Sequence, residues 1–153
     1  MKRQKLEMGA FIRIPLDSET HTFGRILKSP FVAVYDCQSK DESAHGEQIA
    51  ASPVLFVVAV MDRAVKTGRW QIIDRIPLEE SEIRIPDQFM QDRFNPLKCR
   101  IIDSSGTSRE ATIEECEGLE PAAVWEAEHV EQRIRDHYAG RKNVYVESMK
   151  LKR

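Results

Sequence analysis

Glu126, Ala127, Glu128 and His129 spell E-x-x-H. That spacing sets a carboxylate and an imidazole on one helical face, and two facing copies in a bundle bridge a pair of metal ions. One copy occurs here, so the plainer reading is an exposed acidic turn. His129 and His137 stand eight residues apart, about 12 Å along a helix axis, too far to share a metal. His21 and His45 lie in polar stretches and read as solvated. Cys37, Cys99 and Cys116 are the thiol candidates, but a cysteine nucleophile needs a paired base and an electropositive setting. Cys116 instead sits between Glu115 and Glu117, which raises its pKa. No G-x-S-x-G, P-loop, H-E-x-x-H or dinucleotide pattern occurs. The expectation is therefore no catalytic residue, no metal and no cofactor.

The densest chemistry is acidic. From Glu110 to Glu131 there are eight glutamates and no Lys or Arg. Acids near helix N-termini suit the helix dipole and keep a surface soluble, which accounts for Glu114, Glu115, Glu126 and Glu128. Eight like charges exceed that need, because they repel and destabilise the compact state. The block reads either as a solvated helix face or as a surface that meets a basic partner. In the second reading Glu117, Glu126, Glu128 and Glu131 point outward and form the partner-binding set.

Over the 153 residues the formal net charge is −2. So even a balance argues against whole-protein binding to nucleic acid or an acidic membrane. Residues 1–28 carry six basic against three acidic residues, and residues 132–153 seven against two. The basic N-terminus lacks the apolar run of a signal peptide, and the longest apolar run, Val54 to Met61, is too short to span a bilayer as a helix. Three scattered cysteines read as reduced thiols of a cytoplasmic protein.

These residues must be positioned by a mostly β chain. "GAFIRIPL" alternates as a strand, and its Pro15 suggests a sheet edge. "TFGRILK" returns as a hairpin in which Gly24 marks a bulge or a close backbone approach, and "FVAVYD" follows as a third strand. Residues 37–53 read as a long mobile loop. "VLFVVAV" reads as a central strand buried on both faces, with "RWQIID" pairing back onto it. "IPLEESEIRIPDQFMQDRFNP" reads as an irregular crossing, and "KCRIID" with "SREAT" as a hairpin through Gly106. Thr112 and Glu115 form a capping-box pattern for a short helix ending at Gly118. A longer helix is expected from about Ala123 to Ala139, stopped by Gly140, with Trp125, Val130, Ile134 and Tyr138 inward. "NVYVES" closes the chain as a last strand. The expected fold is α+β: one domain over residues 1–153, a strongly curved antiparallel sheet with a C-terminal helix and a short helix before it. Trp70 and Trp125 read as core anchors. Arg25 is either outward-facing or an inner arginine needing a carboxylate, with "EGLE" a candidate source.

"GAFIRIPL…FGRIL…FVAVYD", "PVLFVVAV…GRWQIID" and "ATIEECEGLEPAAVWEAEHVEQRI" resemble, in order and spacing, the immunity protein 26 family. Arg25, Trp70, Glu115, Glu120 and Trp125 sit where the family pattern has them. The resemblance implies a small cytoplasmic α+β protein, without enzymatic activity, that binds and neutralises one cognate toxin domain of a bacterial polymorphic toxin system. Toxins delivered into bacteria are frequently nucleases, whose clefts are basic because they hold phosphates, so an acidic antidote surface would steer association. The alternative is a small barrel-like nucleic-acid-associated module with Lys2, Arg3, Lys5, Arg13 and Arg25 on phosphates.

Overall fold

The structure is a computed structural model that describes residues 2–41 and 43–153. Met1 of the basic N-terminus and Glu42 of the polar loop lie outside the described residues. The fold is α+β. The chain clusters into two compact units, Met1–Ile83 with Val124–Arg141, and Arg84–Ala123 with Lys142–Arg153.

The first unit is built on strands β1 (Ala10–Pro15), β2 (His21–Ile26), β3 (Phe31–Tyr35), β4 (Val54–Val60), β5 (Gln71–Arg75) and β10 (Val124–Trp125), in the order β10-β4-β3-β2-β1-β5. All neighbours are antiparallel except β10 and β4. Alternation along β1 to β3 decides the two faces. Phe11, Phe23 and Tyr35 share one buried cluster with Ile49 of helix α1 (Gly46–Ala50). Ile12, Ile14, Val34 and Val58 are buried as well. Helix α4 (Ala127–Ala139) lies over the face that carries Phe56, where the Arg133 guanidinium stands 3.8 Å from the ring centroid. Gly24 marks a close approach: a Cβ there would fall 2.9 Å from the Ala33 carbonyl oxygen.

Several sequence expectations are corrected here. β1 is not an edge strand. β5 pairs with it only over Ala10–Arg13, so Pro15 lies past the end of that ladder, where no donor is needed. β4 is next to the sheet's end rather than at its centre, and Val54 to Val57 are not fully buried. β5 does not pair back onto β4. Helix α2 (Arg63–Lys66) intervenes and β5 joins the far edge. The sheet is open and not strongly curved, so it does not close into a barrel. The polar stretch 37–53 is anchored: Ser39 bridges His21, the Gly46 N–H donates to Asp74 Oδ2 at 2.7 Å, and Ile49 is buried.

The C-terminal end of α4 is as expected. Gly140 caps it in the left-handed conformation at φ 69°, which glycine adopts without strain. Nearby, the Tyr138 hydroxyl donates to Asp36 Oδ1 at 2.8 Å. Burial first, then this carboxylate, push the Tyr138 phenol up to about 12. An unfolded tyrosine ionises near about 10, so the folded state keeps a proton that the unfolded chain releases. Stability is expected to fall as pH rises from about 10 to about 12, and ultraviolet titration should show a tyrosine ionising near the upper limit. Tyr138→Phe should remove one tyrosine from that late step, and what remains belongs to Tyr35, whose phenol burial also pushes up.

The second unit carries β6 (Gln88–Gln91), β7 (Cys99–Ile102), β8 (Ser108–Ala111) and β9 (Glu120–Pro121), ordered β8-β7-β6-β9 with β6 and β9 parallel. Its core is Phe89, Cys99, Ile101 and Cys116. The β7–β8 hairpin and the short helix α3 (Ile113–Cys116) are where expected, with Thr112 and Glu115 making the capping box. "NVYVES" is not a strand but helix α5 (Val144–Ser148): the Asn143 side chain accepts from the Tyr145 and Val146 N–H groups, and that cap overrides the β-propensity of Val-Tyr-Val.

Candidate functional site

The residues singled out in "GRW" and in the acidic block meet in the first unit. Trp70 follows the turn after α2 and is fully buried. Its indole Nε1 donates to Glu131 Oε2 at 2.9 Å. The same carboxylate receives Arg69 Nε and Nη2, both at 2.8 Å, as a two-pronged pair. Glu131 is 4% exposed, so its assignment as an outward, partner-binding acid is corrected. Ala127, Val130, Glu131 and Ile134 stand at i, i+3, i+4 and i+7 of α4 and are all buried. Glu131 lies on the apolar face and is stabilised there by three donors. Gln4 closes the site from the N-terminal side, donating to the Val65 and Trp70 carbonyls and accepting from the Ile72 N–H.

The other three acids are at the surface, but they are not an uncompensated run. Glu126 is the N-cap of α4 and pairs with Arg63. Glu128, in its first turn and 60% exposed at the side chain, meets Arg69 Nη1 at 3.3 Å. Glu117, in the second unit, pairs with Arg153. Glu115 pairs with Arg109 at 2.9 Å, and the Thr112 N–H, then Arg109, hold its carboxyl below the usual range. The cations absent from residues 110–131 thus come from elsewhere in the chain. Arg63 and Arg69 are more than 55 residues from their partners, and local spacing carries no signal for such pairs.

Arg25 is an inner arginine, as one reading held, but its partners are not carboxylates of "EGLE". Its Nε and Nη2 donate to the Gly9 and Ile76 carbonyls at 3.2 and 2.8 Å. Its guanidinium also lies 4.6 Å from the centroid of Phe11. Two of its donors are thus spent on carbonyls of its own chain. Trp125 is buried, as expected, but belongs to β10 rather than to α4, which begins four residues later than the anticipated Ala123. Glu120 is half-buried in β9. Burial is the main cause that raises the Cys116 thiol, with its neighbour Cys99 next and Glu115 behind both. Among the described residues, no group of three or more His, Cys, Asp or Glu could hold a metal ion, and no helix is long and apolar enough to cross a membrane.

The geometry defines an α+β protein whose signature arginine and tryptophans hold the scaffold together. The chain belongs to the immunity protein 26 family, whose model matches residues 7–100, more than half of its length. It is accordingly an immunity protein of a toxin system, and its family implies a cognate toxin as partner and a non-catalytic, inhibitory role. The match includes "FGRIL" and "GRWQII", while the acidic block lies beyond it. No curated protein and no solved structure shows significant similarity to the chain.

Proposed function

We propose that this protein acts in the cytoplasm by binding a cognate toxin domain and covering its active surface, with no turnover of its own. Family membership over residues 7–100 carries the reading. The toxin we infer is a nuclease with a basic, phosphate-holding cleft, met by the surface acids Glu117, Glu126 and Glu128. Since each of these has an arginine of its own chain beside it, the steering field is weaker than eight unpaired glutamates would produce.

The test is a salt series of association rates with the toxin domain encoded by the adjacent reading frame. Binding by the parent protein is the expected result. A Glu117→Gln, Glu126→Gln, Glu128→Gln variant should lose at most about 1 kcal/mol of stability per exposed pair. It should associate more slowly at low salt, with a flatter salt dependence, because rim charges act mainly on encounter. Equal on-rates with equal salt slopes would place the contact elsewhere, with the stretch from Cys37 to Pro53 next to be tested. Retained binding of generic RNA or DNA by the parent, without toxin binding, would favour the nucleic-acid module instead.

A further inference from the structure

The hairpin tip between β6 and β7, Asp92–Lys98, exposes two large apolar side chains: Phe94 at 91% and Leu97 at 78%. Isolated exposed apolar residues are ordinary. This tip differs because its backbone is held in one conformation. Asp92 Oδ1 accepts from the Phe94 and Asn95 N–H groups at 2.8 and 2.9 Å, and Asn95 Oδ1 from the Leu97 N–H at 3.2 Å. The Asp92 N–H donates to the Lys98 carbonyl, and the Lys98 N–H to that of Asn95, each at 2.9 Å. The Gln91 side chain and the Cys99 thiol both donate to the Pro96 carbonyl. Pro96 also has its φ fixed by its ring. A connection that only reverses the chain needs neither Phe94 nor Leu97. Holding both in water on a rigid backbone removes the ordering cost that a partner would otherwise have to overcome.

The charge around the tip indicates the partner's chemistry. The Asp92 carboxylate is occupied by two backbone donors, which hold its carboxyl below the usual range. Arg93 and Lys98 are exposed on either side of the apolar pair. Arg93 also lines an adjoining groove of about 430 Å³ together with Lys150 and Lys152. We propose that Asp92–Lys98 is an anchor that seats Phe94 and Leu97 in an apolar, carboxylate-rimmed pocket on the cognate toxin domain. This rests on the reading that the protein binds such a toxin. On a basic nuclease the pocket would lie outside the phosphate cleft, because two cationic surfaces repel.

The test measures dissociation of the inactivated toxin domain of the adjacent reading frame from the parent and from a Phe94→Ala, Leu97→Ala variant. Both side chains are solvated, so the variant should melt with the parent. It should dissociate at least about 30-fold faster, the effect of losing a hot spot, with an on-rate within about threefold. Arg93→Glu with Lys98→Glu should lower the on-rate at low salt. Parent-like dissociation of the alanine variant overturns the anchor while leaving toxin binding intact, whereas a parent that does not bind the toxin removes both. Two further outcomes overturn the anchor: Phe94-dependent binding to anionic phospholipid vesicles, or Phe94-dependent self-association in sedimentation velocity without loss of toxin affinity in the variant.

Discussion

Glu131→Lys is expected to leave no cooperatively folded protein. The native carboxylate, 5% exposed at the side chain, accepts from Arg69 twice and from Trp70 Nε1 once. A lysine accepts nothing and sets a second cation against Arg69. Removing the anion from a buried pair costs about 3–5 kcal/mol, and the fully buried indole N–H left without an acceptor adds about 1–3 kcal/mol. The partial exposure of Arg69, 38% at the side chain, lets its guanidinium regain some water and moves the first figure toward its lower end. The sum still rivals the roughly 5–15 kcal/mol stability of a typical domain. Glu131→Gln is the informative companion. It keeps an acceptor for Trp70 and adds no charge, so it should fold with a lowered melting temperature. A Glu131→Lys protein that melts within a few degrees of the parent would show that the side chain is not held as described. For the same reason, charge reversal of the acidic block must leave Glu131 intact, or loss of binding will report unfolding.

Trp125→Ala is expected to destabilise the fold by about 3–5 kcal/mol, the usual cost of removing a buried aromatic. The ring is 4% exposed, and the Arg133 guanidinium lies 5.1 Å from its centroid. Its backbone continues the six-stranded sheet: Trp125 pairs with Val60, and the Met61 N–H donates to its carbonyl at 2.9 Å. Chemical denaturation monitored by circular dichroism gives the measurement. Any protection against the toxin should be lost together with the fold. If the variant melts like the parent yet no longer binds the toxin, Trp125 is a contact residue and its inward packing is not what matters.

The amino-acid sequence by itself determined what depends on near neighbours. Alternation located β1 because side-chain direction in a strand repeats every two residues, and the polar turn and the Ser29–Pro30 break after it set off β2 and β3. The β7–β8 hairpin, the Thr112–Glu115 capping box and the Gly140 stop were legible because each is completed within a few residues. The tertiary structure alone decided which partners arrive from far along the chain. It placed β5 beside β1 rather than β4, and it supplied Arg63, Arg69 and Arg153 to acids that lack local cations. Glu131 shows the boundary between the two. Its spacing with Ala127, Val130 and Ile134 was present in the sequence, and a helix beginning at Ala127 puts it on the buried face. The expected inward set of Trp125, Val130, Ile134 and Tyr138 left Glu131 facing solvent, and Trp125 proves to lie in a strand, β10, that exists only by pairing with β4, more than 60 residues earlier. A carboxylate can occupy an apolar face only where donors converge on it, and the convergence of Arg69 and Trp70 is a property of the folded chain.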